Sequence, residues 1–136
     1  MKPTLEQMLK ALQASWGADT SFAADEWSPS NRARGQCVVS ALVVQHYLGG
    51  DLIRYRVLEE DAVTIRETHY CNLLPDGTKI DTTASQYRKP VLLREDPVRQ
   101  DHFASPREKR LAHPATREHY ELLLKRVETF LQNQDA

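Results

Sequence analysis

Cys37, His69 and Asp81 are the side chains whose types and order along the chain could carry out covalent chemistry. Cys37 follows Gly35 and opens an apolar segment that we predict to be a helix. A thiol at a helix N-terminus experiences the positive end of the helix dipole, which favours the nucleophilic thiolate. Such a nucleophile needs a base, and the base needs an acceptor that orients it, so we assign these two roles to His69 and Asp81. Gln36, beside the nucleophile, is a candidate hydrogen-bond donor to an oxyanion, and helix capping is an equally good role for it.

A tight turn between two predicted strands decides whether His69 and Asp81 can meet. Residues 75–77 read Pro-Asp-Gly, which suits a three-residue loop with Gly77 in the left-handed conformation. In that register Cys71 lies opposite Asp81, and His69 is the diagonal neighbour of Asp81 on the same sheet face, at a backbone separation of roughly 7 Å. A two-residue turn would shift the register by one position and move Asp81 to the other face. The turn sequence therefore favours a Cys-His-Asp triad.

Each of the three residues also has a purely structural interpretation. A free cysteine is often a small buried hydrophobic residue, and a single histidine on a strand is more often structural than catalytic. An aspartate followed by two threonines, as at 81–83, commonly caps a loop. The occurrence of all three in one predicted register favours the functional interpretation.

Hydrophobic patterning predicts the elements that position these residues. Segment 37–48 is the most apolar of the chain and ends at a double glycine, and its length favours a helix over a strand. Apolar residues fall on nearly every side of this helix, which predicts that it is buried. Three segments are predicted to be strands: 51–58, 68–74 and 78–82.

Two further helices complete the predicted fold. Thr4 can cap a helix that reaches about residue 16, and Pro114 can begin a last helix that reaches about residue 131. Segments 18–35 and 88–113 are predicted to be loops, the second with short helical turns. This order of elements predicts a single α+β domain over residues 1–136, with an antiparallel sheet packed against the buried helix that carries Cys37.

The composition is that of an ordinary globular protein, with 40% hydrophobic and 27% charged residues in a chain of 136. Lys and Arg number 18 against 19 Asp and Glu, and this balance removes the usual electrostatic reason to expect binding to nucleic acid or to an anionic membrane. No apolar run approaches the roughly 18 residues of a membrane-spanning helix, and the start of the chain lacks a signal-peptide core. With only two cysteines, a reduced cytoplasmic setting is expected.

The motifs also resemble those of known proteins. Gly35-Gln36-Cys37 at a helix start, His69 on a strand and Asp81-Thr82-Thr83 after a hairpin resemble the core of the transglutaminase-like, papain-like cysteine enzymes. That resemblance implies a fold in which the cysteine is the nucleophile, the histidine is the base and the aspartate orients it. Over about residues 4–130 the chain resembles the bacterial YunG-like family more closely. This second resemblance is carried by Trp27, Pro29, residues 35–45, 69–77 and 80–81, and the segment 114–117.

Cys71 departs from both resemblances, because tryptophan is expected two positions after the histidine. A second thiol beside His69 leaves two other interpretations open. Together with Cys37 and Asp81, these two residues could form a tetrahedral zinc site, although zinc motifs normally pair cysteines at close spacing. A disulfide between Cys37 and Cys71 is also conceivable, as a redox switch in a reducing compartment. Our main interpretation requires neither a cofactor nor a resident metal.

The sequence thus predicts a cysteine-dependent acyl-transfer enzyme that forms a thioester on Cys37 and then hydrolyses it or transfers the acyl group to an amine. The expected substrate carries an amide, as in a peptide or a glutamine-like side chain. The alternative is a non-catalytic binding or regulatory module on the same papain-like scaffold. An accessible Cys37 that touches His69 would favour the enzyme, whereas a buried Cys37 with His69 turned away would favour the module. The oligomeric state is left open.

Overall fold

An apolar helix, α2 (Cys37–Leu48), lies at the centre of the fold. In the computed structural model, which describes residues 2–96 and 105–134, every side chain of residues 39–44 is buried. Gly49 ends the helix with a φ of +77°, in the left-handed region that favours glycine. The predicted helix over 37–48 is confirmed at both ends.

Helix α2 packs against an antiparallel sheet of four strands. The strands are β1 (Asp51–Leu58), β2 (Ile65–Leu73), β3 (Lys79–Ile80) and β4 (Leu92–Glu95). Their order across the sheet is β3-β2-β1-β4, so the two shortest strands form its edges. The predicted α+β class, with an antiparallel sheet against the helix that carries Cys37, is confirmed.

The β2–β3 hairpin has the register that the Pro-Asp-Gly turn predicts. Leu73 pairs with Lys79, and Asn72 pairs with Ile80. Gly77 has a φ of +90°, as the three-residue loop requires. This register is the one that brings His69 and Asp81 to the same side of the hairpin.

Both strands of this hairpin differ in length from the prediction. β3 ends at Ile80 instead of continuing to residue 82, because the Asp81 carboxylate accepts a hydrogen bond from the Thr83 backbone N–H at 3.2 Å and turns the chain out of the ladder. β2 begins at Ile65, earlier than the predicted residue 68. The shorter β3 places Asp81 just beyond the strand end.

Three more α-helices lie within the described residues. They are α1 (Leu5–Ser15), α3 (Pro106–Leu111) and α4 (Pro114–Gln134). α1 begins with the predicted Thr4 cap, which forms a reciprocal pair of hydrogen bonds with Gln7. α4 packs against α1 and α2, and Leu123 and Val127 of α4 belong to the central core. Among the described helices, none combines the length and the apolar character that crossing a membrane requires.

The predicted loop over 88–113 contains two regular elements. β4 pairs antiparallel with β1, and α3 begins at Pro106 after Ser105, whose side chain caps it. All four residues of β4 are exposed, so its sequence has no alternation of buried and exposed positions that would indicate a strand. Residues 97–104 of the same predicted loop lie outside the described residues. The predicted loop over 18–35 contains two single 3-10 turns, at Ala18–Thr20 and Ala24–Glu26.

Candidate active site

Cys37 is the first residue of α2 and lines a groove. Its side chain is partly exposed. Gly35 just before it has a φ of +76°, and a Cβ atom there would lie 2.3 Å from Ser21 Oγ and 2.6 Å from the Ala23 nitrogen. Only glycine fits this close passage. Gly35 therefore allows the loop over 18–35 to fold against the start of α2 and to leave Cys37 at the groove.

His69 is fully buried on β2, and its Nε2 atom lies 2.7 Å from Asp81 Oδ2. Asp81 follows β3 directly, and a quarter of its side chain is exposed. A carboxylate at this distance accepts a hydrogen bond from the ring N–H, so the neutral imidazole carries its proton on Nε2 and keeps a lone pair on Nδ1. The predicted contact between His69 and Asp81 on one sheet face is confirmed.

Two side chains from the segment after β3 face the other ring nitrogen. Gln86 Nε2 lies 3.3 Å from His69 Nδ1, and the Tyr87 hydroxyl lies 3.4 Å from the same atom. The Tyr87 hydroxyl donates to Glu67 Oε2 at 3.0 Å. Burial and the negative charge of Glu67 raise the pKa of Tyr87, so this hydroxyl stays protonated. Gln86 and Tyr87 thus fix the orientation of the ring from the side opposite Asp81.

The sequence analysis did not identify Gln86, Tyr87 or Glu67. The period of β2 provides a signal for Glu67, because residues two positions apart on a strand share a face and Glu67 precedes His69 by two. Gln86 is the last residue of a single 3-10 turn, Ala84–Gln86, and Tyr87 directly follows this turn. No local pattern in that segment indicates that it folds back onto β2.

Charges around His69 favour its imidazolium form. Burial opposes that charge, but the hydrogen bond to Asp81, together with smaller contributions from Cys37 and Cys71, outweighs burial and raises the pKa of His69. Cys37 is therefore close enough to His69 for the two side chains to interact electrostatically. A partly exposed cysteine near a buried histidine favours the enzyme over the binding module.

Cys71 is buried beside the same histidine. Burial raises the pKa of the Cys71 thiol, and the neighbouring His69 offsets this effect only in part. The potential ligand atoms of Cys71, His69 and Asp81 all lie within 4.8 Å of one another. Three of the four residues that the sequence analysis considered as zinc ligands are therefore grouped together, and Cys37 and Cys71 are both free thiols.

The ion pair between Arg34 and Glu67 lines the same groove as Cys37. Arg34 donates from its two terminal nitrogens to both Glu67 carboxylate oxygens, at 2.9 and 3.0 Å. Arg34 also donates to Gln86 Oε1 at 3.0 Å, and the same oxygen accepts the Gly35 backbone N–H at 3.2 Å. Gln86 thereby links the loop before Cys37 to the His69 ring.

The groove itself has a volume of about 380 Å³. Apolar parts of its wall come from Phe22, Val38 and Tyr70, and charged parts come from Arg34 and Glu67. A second groove of about 670 Å³ shares residues with the first, Glu26, Arg34 and Gln86 among them. The two grooves therefore meet at these three side chains.

The sequence match decides the family. The model of the YunG protein family matches residues 4–132. The chain belongs to that family. It is similar to a Bacillus subtilis (strain 168) protein described as "Uncharacterized protein YunG", with 28% identity over 110 residues that cover 80% of this chain and 86% of that protein. No solved structure matches the chain. The predicted YunG-like resemblance is confirmed.

Gln36, the fourth predicted site residue of this YunG family member, is turned into the protein. It is fully buried, its amide nitrogen donates to the Gly17 carbonyl at 2.9 Å, and its amide oxygen accepts from the Thr20 hydroxyl at 2.8 Å. Gln36 therefore anchors the loop that leads into α2. Its side chain does not cap the helix, and α2 has no side-chain cap at its N-terminus.

Chemically, the arrangement in this YunG protein offers a thiol at a groove, a buried imidazole near it and a carboxylate at Nε2 of that imidazole. Each of these groups is held by a different element: α2 carries Cys37, β2 carries His69, and the turn after β3 carries Asp81. Such a set can activate a sulfur nucleophile and can deliver a proton to a leaving group.

Proposed function

We propose that the protein is a cysteine-dependent acyl-transfer enzyme whose nucleophile is Cys37. The proposal is carried by one observation: the partly exposed Cys37 lies near a buried His69 whose Nε2 atom is 2.7 Å from Asp81 Oδ2. In a catalytic triad, a thiol or hydroxyl is the nucleophile, an imidazole is its base and a carboxylate orients the imidazole. The proposed site is one of a transglutaminase-like, papain-like core, and the proposed setting is the cytoplasm.

In the proposed reaction, the Cys37 sulfur attacks the carbonyl carbon of an amide or ester in the groove. The Cys37 proton passes to His69 Nδ1, and His69 then donates it to the leaving amine or alcohol as the tetrahedral intermediate collapses to a thioester. Water or an acceptor amine next attacks the thioester, with His69 as base, and the acid or new amide leaves while Cys37 regains its proton. Asp81 keeps the ring oriented throughout through the Nε2 hydrogen bond.

The oxyanion of this intermediate needs hydrogen-bond donors near Cys37. The N-terminus of α2 lacks a side-chain cap, so the backbone N–H groups of its first turn have no intrahelical acceptor and can serve as these donors. Gln36, the donor predicted from sequence, would have to leave Gly17 and Thr20 to contribute its side chain. We therefore assign the oxyanion to backbone donors at Cys37 and Val38, with Gln36 as the residue that supports their position.

The lining of the groove supports the proposed substrate class. Its apolar and charged wall residues, and the second groove that shares Arg34 with it, suit a peptide or a glutamine-like side chain better than a small ion. A non-catalytic module that binds such a chain through the same grooves is the alternative. The two candidates differ in one property, the ability of Cys37 to form and release an acyl group.

An activated ester tests this difference directly. The purified, chelator-treated full chain is incubated with p-nitrophenyl acetate, and acetylated peptides are identified by mass spectrometry. We expect a thioester on Cys37 that disappears when an amine is added. Cys71→Ser should keep the adduct, and His69→Ala should slow its formation. If Cys37 in the wild type is acetylated no faster than in His69→Ala, the acyl-transfer function is wrong and the binding module replaces it.

A further inference from the structure

Cys71, His69 and Asp81 form a cluster of possible metal ligands. The proposed function uses His69 and Asp81 but gives no role to Cys71. We propose that Cys71, His69 and Asp81 bind a thiophilic divalent cation of the zinc type, and that this binding inhibits the enzyme. The first half of this inference is independent of the activity, and the inhibition rests on the proposed function. Both halves follow from the grouping of Cys71 and Asp81 around His69.

The three potential ligand atoms lie within 4.8 Å of one another. In a tetrahedral site with bonds of about 2.0–2.3 Å, the ligand atoms lie about 3.5 Å apart. The 2.7 Å contact between His69 Nε2 and Asp81 Oδ2 must open by less than an ångström for a cation to enter between them. The exposed quarter of the Asp81 side chain provides the route of entry and the place for a water as fourth ligand.

The donor set also fits the charge and softness of such a cation. A Cys71 thiolate and an Asp81 carboxylate together neutralise a divalent ion, and imidazole is a common zinc ligand. The Asp81 carboxylate is already oriented, because its other oxygen accepts from the Thr83 N–H at 3.2 Å. The Tyr87 hydroxyl oxygen lies 3.4 Å from His69 Nδ1 and can accept the proton that Nδ1 carries when a cation is bound. Outer contacts of this kind orient the ligands of metal sites.

Cation binding changes which nitrogen of His69 carries the proton. Coordination through Nε2 requires that nitrogen to lose its hydrogen, so the neutral ring keeps its one proton on Nδ1. Nδ1 then has no lone pair with which to accept the Cys37 proton. The Cys71 thiol and the imidazolium Nε2 each release a proton to solvent, Nδ1 keeps the remaining ring proton, and no electron is transferred. A bound cation therefore removes the base without contacting the nucleophile.

Cobalt tests the site, because Co²⁺ takes the same ligands as zinc and its thiolate complexes absorb in the near ultraviolet. The chelator-treated full chain is titrated with Co²⁺ as wild type, Cys71→Ser and Cys37→Ser. We expect the thiolate–cobalt band in wild type and in Cys37→Ser, its loss in Cys71→Ser, and its displacement by Zn²⁺. Asp81→Asn should weaken cobalt binding by about tenfold or more.

Circular dichroism of Cys71→Ser establishes that it is folded, and the wild type and Cys37→Ser measurements decide the outcome on their own. Absence of a band in wild type, or its loss in Cys37→Ser, overturns the site.

For the inhibition, acetylation of Cys37 is measured with and without Zn²⁺. Zinc should slow it in wild type to the rate of His69→Ala and leave Cys71→Ser unaffected. Equal rates with and without zinc overturn the inhibition, whereas failure of the proposed function appears separately, as a His69→Ala rate equal to that of wild type without metal.

Discussion

His69 combines complete burial with a neighbour that favours its charge. Burial alone would keep the imidazole neutral, and the Asp81 carboxylate at 2.7 Å is the main group that reverses this preference. The pKa of His69 in the folded protein therefore lies above its value in the unfolded chain, which is about 6.5. A raised pKa stabilises the fold fully below that unfolded value, and the stabilisation is lost as the pH rises through the folded value.

Asp81→Asn should consequently destabilise the protein more at pH 6 than at pH 9. In the wild type the charged pair contributes most at the lower pH, whereas the asparagine variant lacks the pair at both. The measurement is urea unfolding of chelator-treated wild type and variant at the two pH values. Asp76→Asn serves as the matched control, because Asp76 is an exposed turn carboxylate that accepts hydrogen bonds from Thr78 and faces no histidine partner in the described residues. A loss of stability for Asp81→Asn that does not change with pH would contradict the assigned pair.

The two thiols should differ in reactivity although both contact His69. Cys71 is buried and its thiol pKa is raised, while Cys37 is partly exposed at the groove. In limited iodoacetamide labelling at a single pH, we expect Cys37 to react before Cys71. His69→Ala should slow the labelling of Cys37, because the neighbouring imidazole that can take up the thiol proton is gone. Peptide mass spectrometry reads both sites in one sample. Labelling of Cys71 before Cys37 would show that burial does not protect it.

Among the individual residues of the site, the sequence predicted the contact that the β2–β3 hairpin determines. It did not predict the contacts that depend on the path of the loop after β3. His69 and Asp81 lie on opposite sides of a turn whose residue types set the register, so their contact could be worked out from local rules. Gln86 reaches His69 only because the chain after β3 folds back over β2. That path depends on tertiary contacts such as the Arg34–Gln86 hydrogen bond, which no local pattern encodes.

At the scale of elements, the start of α2 depends on the passage of the chain at Gly35. Alanine at this position would have to adopt a left-handed φ of +76°. Its Cβ atom would lie 2.6 Å from the Ala23 nitrogen and 3.0 Å from the Phe22 nitrogen. We expect Gly35→Ala to cost at least about 3 kcal/mol, the sum of the conformational cost and the overpacking. Gly77→Ala is the matched control, because Gly77 also has a positive φ but has no atom within 4 Å of its Cβ position. It should cost about 1–2 kcal/mol.

Urea unfolding measures both costs, and acetylation of Cys37 adds a functional readout. Gly35→Ala should also slow acetylation under conditions in which the variant is folded, because the loop beside Cys37 must move. Equal costs for the two glycine variants would mean that the loop before α2 yields freely, and that Gly35 does not position Cys37.

The elements that the sequence predicted well are those with a complete signal of their own. α2 has a double glycine at its end, α1 has a capping box, and the β2–β3 turn has Pro-Asp-Gly. β4 lacks such a signal, since its four exposed residues become a strand only by pairing with β1, more than thirty positions earlier in the chain. Edge strands of this kind are specified by the neighbouring strand more than by their own pattern.

At the scale of the whole molecule, the C-terminal helices hold the helix that carries Cys37. Arg107 of α3 donates to the Leu42 carbonyl and the Gln45 side chain of α2, and also to the Tyr120 hydroxyl of α4 at 2.7 Å. Leu123 of α4 is fully buried in the core that α1 and α2 share. The position of Cys37 thus depends on residues of α3 and α4, which lie about 70 or more positions later in the chain.

Leu123→Ala tests this dependence. Removal of a fully buried leucine should cost about 2–5 kcal/mol, because it loses apolar burial and leaves a cavity. Leu124→Ala makes the same chemical change at the neighbouring, only partly buried position and should cost less than about 2 kcal/mol. Urea unfolding is followed by two probes: fluorescence of Trp16, which reports on α1, in a Trp27→Phe background, and the exposure of Cys71, which reports on the sheet. In a single cooperative domain both transitions coincide, and Leu123→Ala shifts them by the same amount. If the fluorescence transition moves while exposure of Cys71 stays where it was, the helices and the sheet unfold separately, and the core around α4 does not hold the site together.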